Sequence, residues 1–249
     1  MSKSKLSRSI TEINILLAEK FGIPERSKNL PDPLDLLIAT ILSQNTNDNN
    51  SYKAYSNLKS NYPDWEMLKS VSEEELEVVI ISAGLAKQKS ATIKNVINTL
   101  SETNDKLSLD FLRKKTDEEI IEYLTNFNGI GVKTASCVLM FSLERNVCPV
   151  DTHVHRTLNR IGLVKTSSPD KTFSKINKDF PNGIAHQFHT NLIKLGRIFC
   201  KGQKPSCSFC PVNEICKFKE KSFSKSGAAE KEGILLLDKI GDYIPEGKN

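Results

Sequence analysis

The sequence starts helix after helix and offers no strand. Three segments, Ser9-x-x-Glu12, Ser72-x-x-Glu75 and Thr116-x-x-Glu119, have the form of a capping box, in which hydroxyl and carboxylate satisfy each other's backbone N–H groups at a helix start. Apolar residues follow each at helical spacing: Ile10, Ile13, Leu16, Leu17 and Phe21; then Leu76, Val79 and Ile80, stopped by Gly84; then Ile120, Leu124 and Phe127. Asp32-Pro33 is an N-cap with proline at the first helical position, leading into Leu36, Leu37, Ile41 and Leu42. Further helices are expected from Asp48, through Ile93, Val96, Ile97 and Leu100, near Asp151, near Asp170 and before Phe188. No run alternates apolar and polar residues between turn signals, so the expected fold class is all-α.

At roughly 150 residues per domain, 249 residues make one large or two small units. With 38% hydrophobic and 26% charged residues the chain can bury a core, which excludes wholesale disorder. The run 78–86, broken only by Ser82 and Gly84, is nine residues, far short of a membrane span of roughly 18. Lys3, Lys5 and Arg8 are followed by Glu12, Asn14 and Glu19, which interrupt the apolar centre a signal peptide requires. A soluble protein of the cell interior, with no membrane partner, is expected.

Net charge is +5, but residues 194–231 hold nine basic and three acidic side chains, so the remainder is close to neutral. A basic segment on a neutral body suits an anionic partner, nucleic acid first, although a solvated lysine-rich tail has the same composition. Four of the six cysteines, Cys200, Cys207, Cys210 and Cys216, fall within 17 residues. Such clustering in a chain without a secretion signal points to metal ligation rather than disulfides. Chemistry alone allows zinc or an iron–sulfur cluster, since both accept four thiolates. Cys137 fits an apolar helix face, and Cys148 fits either a buried or an exposed position.

The stretch Leu124-Thr-Asn-Phe-Asn-Gly129-Ile130-Gly131-Val-Lys133-Thr-Ala135 has the pattern of helix, tight turn, helix. Gly129 and Gly131 permit backbone geometry closed to other residues and leave amides bare beside the next helix start, an anion site suited to one phosphate. It is not a P-loop, because Val132 separates glycine from lysine and position 126 is Asn. Lys133 falls in the first turn of the helix that follows. Asp151 has the place of an N-cap for the helix carrying Val154, Leu158 and Ile161.

Phe127 to Ala135 resembles the helix-hairpin-helix motif of the endonuclease III family of DNA glycosylases. Val150-Asp151-Thr152-His153 resembles the family's segment around its catalytic aspartate, and Cys200-x6-Cys207-x2-Cys210-x5-Cys216 its cluster loop. Leu42-Ser43-Gln44-Asn45-Thr46-Asn47-Asp48 matches a further motif more loosely. The resemblance runs from about residue 34 to Cys216. It implies two α-helical lobes with a DNA groove between them: a helical barrel over 31–144, and a [4Fe–4S] lobe joining 1–30 to 145–216, with 217–249 a charged tail outside the core. It also implies a monomer that acts on damaged double-stranded DNA, cytoplasmic or nucleoid-associated if the source is prokaryotic.

The implied activity is a bifunctional glycosylase and abasic-site lyase acting on oxidised pyrimidines. Lys133 is then the nucleophile that attacks C1′, expels the base and forms a Schiff base, followed by β-elimination, with Asp151 as its electrostatic partner. The [4Fe–4S] cluster, held by the four cysteines, has a structural role. Ala83-Gly84-Leu85-Ala86 resembles the family's wedge turn, so Leu85 is the expected intercalator filling the place of an extruded base. Gln44 or Asn45 is expected at the opposite strand, Ser43 and Asp48 near the pocket, Gly129 and Gly131 at a phosphate, and His153 at the DNA backbone or pocket. Two positions depart from the family pattern, Asn128 for a hairpin proline and Ala86 for a commonly aromatic residue, so lesion preference is the less constrained property. Rival readings are a monofunctional G:T or G:U mismatch glycosylase, against which Lys133 argues, a non-catalytic hairpin DNA-binding protein, and a zinc-binding structural module.

Overall fold

A computed structural model describes residues 4–103, 106–223 and 236–243. The described residues form ten α-helices and no strand: α1 (Lys5–Phe21), α2 (Pro33–Ser43), α3 (Asp48–Asn61), α4 (Glu73–Val79), α5 (Ala86–Thr103), α6 (Asp117–Thr125), α7 (Val132–Cys137), α8 (Thr152–Ile161), α9 (Pro169–Asn177) and α10 (Ala185–Ile198). The chain divides into two compact units, one of Met1–Glu25 with Asn146–Glu232, the other of Arg26–Arg145 with Gly233–Asn249.

The second unit is built around α2. Leu34, Leu36, Leu37, Ile38, Ala39, Ile41 and Leu42 are all fully buried, so this helix is apolar on every side. Such a helix is stable only when surrounded, and α3, α5 and α7 pack against it. Asp32 caps it by accepting N–H bonds from Leu34 (2.8 Å) and Asp35 (3.1 Å). The boxes at Ser72 and Thr116 form at α4 and α6. After Cys137 the chain continues into a π-helical turn, Val138–Ser142, whose residues are buried.

The first unit packs α10 between α1 and α8, with α9 against α8. Ile10, Ile13, Leu17, Val154, Leu158, Phe188, Leu192 and Leu195 supply its apolar interior.

Two helix starts differ from the sequence reading. Helix α1 begins at Lys5, not Ser9, because Ser4 provides a cap one turn earlier, its Oγ accepting the Ser7 N–H at 3.1 Å, and nothing between breaks the helix. Helix α3 is capped by Asn47, which accepts the Asn50 N–H at 2.9 Å, leaving Asp48 as the first helical residue.

Residues 236–243, which the sequence places in a charged tail, form an anchored strap in the second unit. Leu236 and Ile240 are buried, and the strap packs on α2 and α3. Tyr243 meets the rings of Tyr55 and Tyr52 edge-on, at centroid distances of 5.2 and 6.2 Å. The Asp242 carboxylate accepts N–H bonds from Lys28 (2.9 Å) and Asn29 (3.1 Å), which hold its pKa below the usual carboxylate range. Ser27 donates to the Asp238 carbonyl at 2.6 Å. The sequence of this tail carries one apolar patch, Ile234 to Leu237, in a segment to Ile244 suited to docking; Ile234, Leu235 and Ile244 lie outside the described residues. At Gly241 a Cβ would collide with the backbone carbonyl of Asn29. Gly241→Ala is therefore expected to release the strap, measured as faster hydrogen exchange at Leu236 to Tyr243 and earlier proteolytic removal of the C-terminus.

Candidate nucleic-acid and catalytic site

The hairpin lies between α6 and α7. Phe127 and Ile130, each 5% exposed, turn into the core and anchor it, and the Phe127 ring meets Tyr123 edge-on at 5.5 Å. Gly129 has φ +86°, a left-handed conformation, and a Cβ there would also strike Thr92 of α5. Gly131 is different: at φ −101° it is ordinary extended backbone with open space where a Cβ would stand. The expectation that both glycines are conformationally required is thus corrected to Gly129 alone. Gly131 is the N-cap of α7 and no side chain caps that helix, so its first N–H groups have no intrahelical acceptor. Gly129→Ala is expected to destabilise the second unit by roughly 1–3 kcal/mol. Gly131→Ala is expected to stay within about 0.5 kcal/mol of wild type yet weaken DNA binding. Urea denaturation and a binding titration, run side by side, check both.

Lys133 sits half-buried in the first turn of α7. Its carbonyl accepts from Ser136, and among the described residues no hydrogen bond or ion pair engages its Nζ. The amine is held at a helix start without being consumed by a partner.

The two glutamine/asparagine candidates separate. Gln44 turns inward, its Nε2 donating to the Gly129 carbonyl and to Thr134 Oγ1, both at 3.2 Å, so it braces the hairpin. Asn45 is exposed and left-handed, with φ 51°. Ser43 donates back to the Thr40 carbonyl at 2.8 Å, which ties its hydroxyl to α2. Asp48, half-buried, receives the Ser51 hydroxyl at its carbonyl. Leu85 stands between Gly84 (φ 68°) and α5, itself left-handed at φ 49° and 52% exposed. A large apolar side chain held outward on strained backbone is suited to entering another molecule.

In the first unit Asp151 caps α8, accepting the Val154 N–H at 2.7 Å. Pro149, two residues before it, is held through its carbonyl by Nδ1 of the buried His189 at 2.9 Å. His153 lies against Gly196 of α10, where a Cβ would come within 2.8 Å of the His153 Cβ, and its Nδ1 is 3.1 Å from Arg156 Nη2. Because arginine only donates, Nδ1 must carry the lone pair. Burial lowers the His153 pKa, against the opposing pull of Asp151. The folded state therefore binds this proton less readily than the unfolded chain. The stability His153 contributes is complete above the unfolded value of about 6.5 and is lost as pH falls below it. NMR titration of the ring should give a midpoint under that value, and His153→Gln should flatten the acid side of the stability profile.

The four cysteines are free thiols that line one cavity, together with Arg160, Phe199, Val212 and Phe218. Backbone bonds fix the loop around them: Cys200 N–H to Leu195 (2.8 Å), Cys207 N–H to Ser222 (2.9 Å) and Cys210 N–H to Cys207 (3.2 Å). Arg160 stacks 4.4 Å over Phe218, its Nη1 lies 3.6 Å from Cys200 Sγ, and its carbonyl accepts from Cys216 Sγ at 3.4 Å. Burial raises the thiols of Cys200 and Cys210, the latter to about 12. Among the described residues no three His, Cys, Asp or Glu side chains converge tightly enough to hold a single metal ion. Four thiols facing a common cavity are a donor set that zinc or an iron–sulfur cluster accepts. Cys137 and Cys148 are fully buried and belong to the core.

Residues 38–182 match the HhH-GPD superfamily of base excision DNA repair proteins. A DNA-glycosylase-like protein of Arabidopsis thaliana is 37% identical over 181 residues, 72% of this chain, and the chain spans 59% of that relative's length. Endonuclease III of Thermotoga maritima is 33% identical over 193 residues, covering 78% of this chain and 86% of the relative. An endonuclease III solved in a non-covalent complex with DNA, and again as a trapped covalent intermediate, superposes with a TM-score of 0.71 at 28% identity, over 85% of this chain and 95% of its own. With its hairpin, its Val-Asp-Thr-His segment and its four-cysteine loop, the chain belongs to the endonuclease III family of the HhH-GPD base excision DNA repair proteins.

Proposed function

We propose that this base excision repair glycosylase and abasic-site lyase removes oxidised pyrimidines from damaged double-stranded DNA, acting as a monomer, with Lys133 as nucleophile and Asp151 as its carboxylate partner. The observation that carries the reading is Lys133 itself, a lysine on the first turn of a helix whose N-terminus carries no side-chain cap, with no partner for its amine among the described residues. The N–H groups of that helix start bind a backbone phosphate, which brings the strand to the amine. The amine attacks C1′ of the damaged nucleotide as the glycosidic bond breaks, and the departing base takes up a proton. Asp151 stabilises the positive charge that develops on the sugar and accepts the proton the amine must lose. The C1′–O4′ bond then breaks, O4′ taking up a proton to become the C4′ hydroxyl while the nitrogen lone pair forms the C1′=N bond of the Schiff base. Abstraction of a C2′ proton then expels the 3′ phosphate, and hydrolysis frees Lys133.

Leu85 occupies the gap left by the extruded base, and the exposed Asn45, rather than Gln44, meets the opposite strand. Cys200, Cys207, Cys210 and Cys216 hold a [4Fe–4S] cluster, which when bound cross-links the loop after α10. The cross-linked loop presents Lys201, Lys204, Lys217 and Lys219 to phosphates.

The test is a duplex with one oxidised pyrimidine beside a duplex with one G:T mismatch, each analysed with and without hot alkali. Strand scission at the oxidised base without alkali supports the reading. Scission only after alkali, or only at the mismatch, transfers the assignment to a monofunctional mismatch enzyme.

A further inference from the structure

Lys89 of α5 is 3% exposed, a position that a lysine rarely takes. Its Nζ donates to the carbonyls of Leu42 and Ala83, both at 2.8 Å, and its backbone N–H donates to the carbonyl of Leu85 at 3.1 Å. Leu42 lies in the last turn of α2, three residues before Asn45. Ala83 ends the short 3-10 turn Ile81–Ala83, two residues before Leu85. Only four non-glycine residues in the described chain have positive φ, and Asn45 (51°) and Leu85 (49°) are two of them. Such conformations persist only where the surroundings over-determine them. One buried side chain thus bridges the segments that carry both.

We infer that Lys89 is a positioning residue that locks the Asn45 and Leu85 loops to one another, so that both present their side chains to the duplex in a fixed register. The inference rests on the reading of Asn45 and Leu85 as the residues that enter DNA. Chemistry favours a positioning role over a purely structural one. A buried ammonium facing neutral carbonyls gives little net stability, and an apolar side chain of the same length would fill the space more cheaply. Burial pushes the Lys89 pKa down to about 8. Protonated or neutral, the amine keeps two N–H groups for its two carbonyls.

The test uses the full-length protein with Lys89→Met, which keeps the length and removes the donors, and Lys89→Gln, which restores two N–H groups on a shorter arm. Three quantities are read: single-turnover excision of an oxidised pyrimidine, β-elimination at a preformed abasic site, and fluorescence of 2-aminopurine opposite a tetrahydrofuran abasic analogue, which reports insertion of protein side chains. Lys89→Met is expected to lose excision by on the order of tenfold to a hundredfold, with the fluorescence change diminished. Elimination at the preformed abasic site, which requires no base extrusion, should change far less, and Lys89→Gln should recover part of the loss. A drop equal in all three, in proportion to the folded fraction seen by circular dichroism, overturns the inference, as does failure of both variants to fold. Should the wild type excise nothing, the functional reading fails; the fluorescence arm still decides Lys89, and an unchanged signal in Lys89→Met overturns it.

Discussion

Lys133→Ala is expected to abolish β-elimination at an abasic site, lowering its rate by at least about a thousandfold, the scale on which loss of a covalent nucleophile is felt. Duplex binding should survive, because the helix-start amides after Gly131 are backbone groups and among the described residues no other side chain bonds to the Lys133 amine. Lys133→Arg should be equally inactive, since a guanidinium keeps its charge and forms no imine. A binding titration and a gel assay of strand scission, run on the same preparations, separate the two properties. Loss of both together would mean that Lys133 only neutralises a phosphate.

The second large effect concerns the cysteine loop. Cys210→Ser is expected to yield protein without iron, sulfide or broad visible absorbance, and with the first unit markedly destabilised. Closed metal sites of this kind contribute on the order of 10 kcal/mol to folding, as much as a whole domain's net stability. The non-covalent frame of the loop is otherwise thin: 3-10 turn 207–209, a few backbone hydrogen bonds, and Arg160 with its stack on Phe218. Thermal melts and protease cleavage between residues 200 and 222 check the effect. A colourless Cys210→Ser protein of unchanged stability would remove the structural role, and a colourless wild type holding zinc would replace the cluster.

Much of the fold was legible because helix caps are local. Ser72, Thr116, Asp32 and Asp151 cap as their sequence neighbourhoods require. Ser9 misled because a capping box is a pattern of two residues, whereas a helix begins at the first cap that competes successfully, here Ser4. The hairpin was legible as a turn, but its two glycines do unlike work. Gly129 is required by φ and by the approach of Thr92, a contact from a helix more than 30 residues upstream that no local pattern encodes. Gln44 and Asn45 are equivalent candidates for the opposite strand in the sequence, and the brace from Gln44 to the hairpin, across 85 residues, is a tertiary contact that no local pattern encodes. Lys89 carries no signal in the sequence, where a lysine near a helix start has the pattern of a surface residue; only the convergence of the Leu42 and Ala83 carbonyls makes it interior. The strap at 236–243 showed in the sequence only as apolar residues in a charged tail; its partners, Tyr52, Tyr55 and the 27–29 backbone, are supplied by tertiary structure.

Lyase chemistry through a Schiff base requires one particular atom of the protein, Lys133 Nζ, to join the DNA. Borohydride reduction during turnover on a duplex with one abasic site, followed by digestion and mass spectrometry of the cross-linked peptide, reads that atom directly. The predicted result is a single reduced sugar adduct on Lys133, absent from Lys133→Ala. An adduct on another lysine or on the N-terminal amine, or no adduct from wild-type protein that binds the duplex, would contradict it.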